Sequence, residues 1–98
     1  MNAPQPDRAA GVDAAARPKV SPKFRLQWED AQQAWVLLYP EGMVRLNASA
    51  GEIMKRCDGS RTVGELVAEL ERAFDARGLH ADVADFLDMA RKQHWIEV

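Results

Sequence analysis

The strongest constraint on the fold is a change of hydrophobic period inside one short stretch, Trp35-Val-Leu-Leu-Tyr-Pro-Glu-Gly-Met-Val-Arg-Leu-Asn-Ala-Ser-Ala-Gly-Glu-Ile53. Up to Leu46 the apolar residues come in β-rich runs. From Ala50 onward they recur as Ala50, Ile53, Met54 and Cys57, the i, i+3, i+4, i+7 spacing of a helix face. Between the two runs of strand character, Pro40-Glu41-Gly42 turns the chain, with Pro presetting φ and Gly accepting positive φ. A strand, a turn, a second strand and a helix must therefore follow one another here without spare residues.

The rest of the chain extends this order in both directions. Trp35–Tyr39 is apolar on both faces and reads as a central strand. Before it, Phe24, Leu26 and Trp28 alternate with Lys23, Arg25 and Gln27, the period of a half-buried strand, and the polar residues 29–33 read as a loop. Met43–Leu46 returns as a third strand, giving a three-stranded antiparallel meander. Asn47 or Ser49 can cap the first helix, and Ser49-Ala-Gly-Glu52 fits a capping box. Asp58-Gly59 is expected to end that helix. Thr62-Val-Gly-Glu65 is a second capping box, opening a helix with Val63, Leu66, Val67, Leu70 and Phe74 on one face and Gly78 as its stop. A third helix is expected from about Asp82, with Val83, Phe86, Leu87 and Ala90 as its apolar face and Asp82 and Asp85 suited to its positive end. The predicted fold class is α+β: three antiparallel strands followed by three helices, βββααα.

Domain organisation follows from composition. Residues 1–22 are rich in Ala, Pro and isolated charges, with Val12 and Val20 the only branched apolar residues. Such a segment buries too little to offset roughly 1–2 kcal/mol of backbone ordering entropy per residue. It is expected to be a disordered tail, leaving 23–98 as the folded domain.

Composition also excludes several functions. A net charge of −2, with no strongly basic region, argues against a nucleic-acid or anionic-membrane partner. One cysteine cannot form an internal disulfide and suits a reducing compartment. With no apolar run of membrane-spanning length and no signal-like start, a cytoplasmic location is the expectation.

The chain offers little chemistry. Cys57 sits on the apolar face of a helix with no evident His or Lys to activate it, which reads as a core cysteine. His80 and His94 lack the partners a zinc site needs, so no metal is expected. No GxGxxG or GxxxxGK[ST] array is present, and no cofactor is implied. Asp82, Asp85 and Asp88 read as a solvated helix face or as an acidic strip for a basic partner. Arg45 reads as an outward charge, with a ligand carboxylate as its functional alternative. What remains is geometry: an edge strand presents unpaired N–H and C=O groups that invite an added strand, with apolar pockets supplied by a neighbouring helix. A binding module is expected rather than an enzyme.

The stretch Leu37-Leu-Tyr-Pro-Glu-Gly-Met-Val-Arg-Leu-Asn-Ala-Ser-Ala-Gly-Glu-Ile53, followed by Cys57-Asp-Gly-Ser-Arg-Thr62, resembles the PqqD family of pyrroloquinoline quinone (PQQ) biosynthesis over roughly Phe24 to Val98. The resemblance implies a winged helix-turn-helix-like domain that binds a ribosomally made precursor peptide, PqqA, and presents it to a radical S-adenosylmethionine enzyme, PqqE. It implies that the peptide adds as an antiparallel strand to the third strand and packs against the third helix. Carried onto this chain, the strand side is Met43, Val44, Arg45 and Leu46. The helix side is Val83, Phe86, Leu87 and Ala90, with Asp82 and Asp85 at the rim. Substituting Val44 or Leu46 by Asp is then expected to weaken peptide binding and leave the fold intact. The resemblance gives the N-terminal extension no role. A monomer is expected, with strand exchange between two copies open to its edge strand.

One rival from another class is a winged-helix DNA-binding protein, which βββααα also permits. It requires Arg and Lys on a recognition helix. The second helix instead carries Glu65, Glu69, Glu71 and Asp75 against Arg72, and the third begins with aspartates.

Overall fold

The computed structural model describes residues 12–98. Strands β1 (Lys19–Val20), β2 (Arg25–Glu29), β3 (Ala34–Tyr39) and β4 (Gly42–Arg45) are followed by helices α1 (Ala48–Met54), α2 (Val63–Ala73) and α3 (His80–Lys92), then by β5 (Ile96–Glu97). The expected βββααα order is present as β2–β4 and α1–α3. Strands β2, β3 and β4 form an antiparallel meander with β3 in the centre. Leu26, Leu37 and Val44 stand in register across it, and this row turns toward the helices with Leu37 fully buried. Met54, Val63, Leu66 and Leu87 close the core from the helical side.

Strand β3 meets α1 through one close approach. A Cβ added at Gly51 would lie 2.8 Å from Trp35 Cδ1, a separation real side chains do not tolerate. Gly51→Ala should therefore destabilise the domain by about 1–3 kcal/mol of overpacking, less the ~1 kcal/mol that alanine gains in helix propensity. A thermal melt would register this as a lower Tm; an unchanged or higher Tm would contradict the packing described.

The helix boundaries refine the expected ones. Asn47 caps α1, its Oδ1 accepting from the Ala50 N–H at 2.8 Å and from the Ser49 hydroxyl at 3.1 Å. The Ser49–Glu52 capping box does not form, because the Glu52 carboxylate pairs with Arg56 (2.9 Å) and Lys55 (3.3 Å). Helix α1 ends before Asp58-Gly59, at Met54, and single turns carry the chain on to Gly59, whose φ of +83° only glycine adopts without strain. The Thr62–Glu65 box forms as expected. Gly78 lies in the α2–α3 connection, beyond the end of α2 at Ala73, and α3 begins at His80. Arg56 and Arg61 both reach Glu69 (3.2 and 2.6 Å), tying α1 and the following turn to α2.

The expected N-terminal tail needs correction. Residues 1–11 lie outside the described residues, but residues 12–22 are built into the domain. Pro18 is fully buried, and Val12, Ala16 and Val20 pack on the core. Strand β1 pairs with β5 on one side, and on the other the Val20 N–H donates to Cys57 O and the Gly59 N–H to Pro18 O. The segment also completes the α2 N-terminus: Val63 N–H donates to Ala16 O (2.9 Å) and Gly64 N–H to Ala14 O (3.1 Å). Together with the Thr62–Glu65 box, every one of the first amides of α2 has a partner. Backbone bonds to distant residues, added to the burial of Pro18 and the contacts of Val12, Ala16 and Val20, order this segment, and composition does not register such bonds.

Candidate functional site

The site begins with the direction of backbone groups in β4. In an antiparallel pair, bonded and non-bonded residue pairs alternate. The Leu46 N–H donates to Trp35 O, and Arg45 stands opposite Val36, so Gly42, Val44 and Leu46 point their amides at β3. Met43 and Arg45 consequently point their N–H and C=O groups out of the sheet. Among the described residues β4 is the outer strand of the meander, so these groups form an open edge.

Side chains in β4 divide the opposite way from what a single binding strip needs. Val44 is partly buried on the helix-facing side, and Leu46, just past the strand, is 5% exposed and part of the core. Met43 (48% exposed) and Arg45 stand on the other face. The expectation that Leu46→Asp leaves the fold intact is therefore overturned: it would bury a charge without a partner. Sequence alternation already held this signal, since Leu46 shares the parity of Val44, whose partner across the sheet, Leu37, is in the core.

Beyond β4 the chain enters α1, and the N-terminal residues of α1 border an apolar cleft of about 620 Å³. Its walls are Ala48 and Ile53 of α1, Leu70 and Phe74 from the end of α2, and Val83 and Phe86 of α3. The carboxylate of Glu71 accepts the Leu79 N–H at 3.1 Å, fixing the connection that forms one rim. Among the α3 residues expected to face a groove, Val83 and Phe86 line this cleft with Asp82 at its mouth. Leu87 and Ala90 are fully buried in the core instead. Asp85 is exposed, outside the cleft lining. Phe74 was expected on the core face of α2 but is 51% exposed, because the helix ends one residue earlier and releases the ring toward the cleft. A large apolar residue at a helix terminus was the available signal.

A second concavity, of about 490 Å³, lies at the other side of Ala48 and Glu52, which border both. Trp28 and Trp35 meet there edge to face at 5.6 Å, with Arg45 and Asn47 beside them. Between the two concavities, the Arg56 guanidinium, with Lys55, holds the Glu52 carboxyl below its ordinary range, so its charge is already matched. Among the described residues Arg45, Asp82 and Asp85 enter no ion pair, whereas Asp88 is paired with Arg91 (2.7 Å) and Lys92 (3.1 Å). Among the described residues the acidic strip thus splits into Asp82 and Asp85, which pair with none of them, and Asp88, which is paired within α3.

Reactive groups are scarce around this site. Among the described residues no group of three or more His, Cys, Asp or Glu could hold a metal ion, and no helix is long and apolar enough to cross a membrane. Burial pushes the Cys57 thiol up to about 12, with the neighbouring Asp58 charge adding to it. Native protein at pH 8 should therefore leave Cys57 unmodified by a thiol-disulfide reagent, while the same reagent titrates it in urea. Rapid labelling of the folded protein would contradict its burial.

An antiparallel sheet with an open edge strand, followed by three helices whose ends enclose an apolar cleft, defines a small winged-helix-like recognition module. The family model described as Coenzyme PQQ synthesis protein D (PqqD) matches residues 34–96, from β3 into β5. The chain is 46% identical over 78 residues to a PqqA binding protein of Methylococcus capsulatus, covering 80% of this chain and 84% of the relative. It is 49% identical over 76 residues to a PqqA binding protein of Stutzerimonas stutzeri, covering 76% and 83%. Its structure is similar to the PqqD truncation of Methylobacterium extorquens PqqCD, described as a functional, stand-alone recognition element for ribosomally synthesised and post-translationally modified peptides. That match has a TM-score of 0.74 and 25% identity, and covers 89% of this chain and 95% of the other. The chain belongs to the PqqD family.

Proposed function

We propose that this chain is a non-catalytic peptide chaperone of PQQ biosynthesis. It binds the precursor peptide PqqA as an added antiparallel strand on β4 and presents it to the radical S-adenosylmethionine enzyme PqqE. The observation that carries this reading is the outer strand β4, whose Met43 and Arg45 backbone groups are directed out of the sheet, followed along the chain by an apolar cleft that begins at Ala48. Relatives named as PqqA binding proteins support the choice of peptide.

The division of labour follows from the chemistry of each wall. Main-chain bonds from Met43 and Arg45 tolerate any peptide sequence, because every residue but proline offers the same groups. The cleft formed by Phe74, Val83 and Phe86 selects apolar side chains. Asp82 at the cleft and Arg45 at the second concavity carry opposite charges, which favour one orientation of a charged peptide. The DNA-binding alternative draws no support from these surfaces, since the exposed start of α3 is acidic.

Calorimetric titration with the PqqA peptide tests the reading. Wild-type protein should bind it, and Phe86→Asp should weaken binding by about tenfold or more by placing a charge in the cleft. The absence of heat or shift changes with the wild type would sink the reading outright.

A further inference from the structure

We propose that residues 12–21 are a positioning strap for the cleft, seating its two longer helical walls from behind. The proposal rests on the peptide-binding reading above. Its basis is a chain of contacts that starts at the N-terminal segment and ends in the cleft lining. The Ser21 N–H donates to Trp95 O at 2.8 Å, and Ser21 is itself buried. The Trp95 ring lies 6.4 Å from that of Phe86 at an interplanar angle of 53°. Phe86 lines the cleft.

Trp95 is fixed from both directions. Its N–H donates to Ala90 O in the last turn of α3, after a left-handed residue at His94 (φ 65°) redirects the chain. Its carbonyl is held by Ser21 and the following residues by β1. A ring anchored in this way gives Phe86 a firm backing. Released from the strap, Trp95 keeps its tie to α3 and its packing on the core but loses the hold on its carbonyl, and Phe86 gains rotamers that do not line the cleft.

The same segment reaches the other wall. Ala14 and Ala16 accept the first amides of α2, whose far end supplies Leu70 and Phe74 to the cleft. One strap therefore sets the start of α2 and the end of α3, and the cleft lies between the opposite ends of the same two helices. If only a fraction of molecules holds Phe86 in the competent orientation, apparent affinity falls by that fraction.

A double-mutant cycle in the full chain tests this, with PqqA peptide as the probe. Ser21→Pro removes the donor to Trp95 and should weaken binding by roughly threefold to thirtyfold. Trp95→Leu should weaken it in the same range. Combined, the two should be no weaker than Trp95→Leu alone, because both act through one ring. Additive losses, or an unaltered affinity in Ser21→Pro, overturn the strap. If Ser21→Pro does not fold, amide exchange in the wild type decides. Saturating peptide should slow the Ser21 amide, by the reciprocity of coupled sites, and an unchanged rate overturns the proposal. Phe86→Ala separates the two readings. If it leaves affinity unaltered, the cleft does not hold peptide and both fail. If it weakens binding while the cycle is additive, only the strap fails.

Discussion

Arg45→Pro is expected to weaken PqqA binding by about tenfold to a hundredfold while leaving the melting curve of the free protein nearly unaltered. The Arg45 N–H points out of the sheet, so proline removes no bond of the β3–β4 ladder, and an edge strand accepts proline when its N–H faces solvent. A peptide carbonyl that docks there loses its donor and meets a ring instead. Leaving such a group unpaired costs about 1–3 kcal/mol, which gives the stated range. Val44→Pro is the control of opposite kind. Its N–H points at β3, so proline there should lower stability first and affect binding only through loss of fold. Calorimetry beside thermal melts distinguishes the two. Full affinity in Arg45→Pro would place the peptide elsewhere.

The second large effect concerns the N-terminal segment. A chain starting at Pro22 should lose at least about 3 kcal/mol of unfolding free energy, measured by urea titration. It would forfeit the burial of Pro18 and of the Val12, Ala16 and Val20 contacts. It would also strand the amides of Gly59, Val63 and Gly64 and the carbonyls of Cys57 and Trp95, which segment 14–21 now satisfies. Domains of this size have about 5–15 kcal/mol in total, so such a loss brings the shortened chain close to unfolding at moderate temperature. An unaltered urea midpoint would mean that these bonds are exchanged for water at no cost, contrary to the packing described.

The meander and the helices were legible because each was marked twice, by period and by punctuation. Trp35–Tyr39 is apolar on both faces, Pro40–Gly42 turns, and Thr62 and Glu65 form their box as the spacing requires. Strands β1 and β5 were not legible. Two residues carry no period, and what holds Lys19–Val20 is bonding to residues more than thirty positions away along the chain.

The candidate site was legible only in part, for a similar reason. A helix face identifies Val83, Phe86, Leu87 and Ala90 together, but burial separates them. Leu87 and Ala90 meet the core, while Phe86 meets the cleft, and which does which depends on how α3 lies on α2. Phe74 was assigned inward because it continues the i+4 row from Leu70; the end of the helix at Ala73 turned it out. In β4 the sequence reading groups Met43, Val44, Arg45 and Leu46 as one strip, whereas burial divides their side chains by alternation, and the alternation of backbone bonds identifies Met43 and Arg45 as the open groups. That distinction needs the partner strand's register, which one strand alone does not contain.

The central claim is that the precursor peptide becomes the next strand of the sheet. Isotope-filtered NMR on labelled protein with unlabelled PqqA addresses it directly. In an added antiparallel strand, Met43 and Arg45 form the bonded pairs and Val44 the non-bonded pair, whose Hα atoms face those of the peptide. The account predicts a cross-strand Hα–Hα contact between Val44 and the peptide, together with slowed exchange of the Met43 and Arg45 amides on binding. A bound peptide that leaves those amides exchanging as before, with no contact at Val44 Hα, would contradict it.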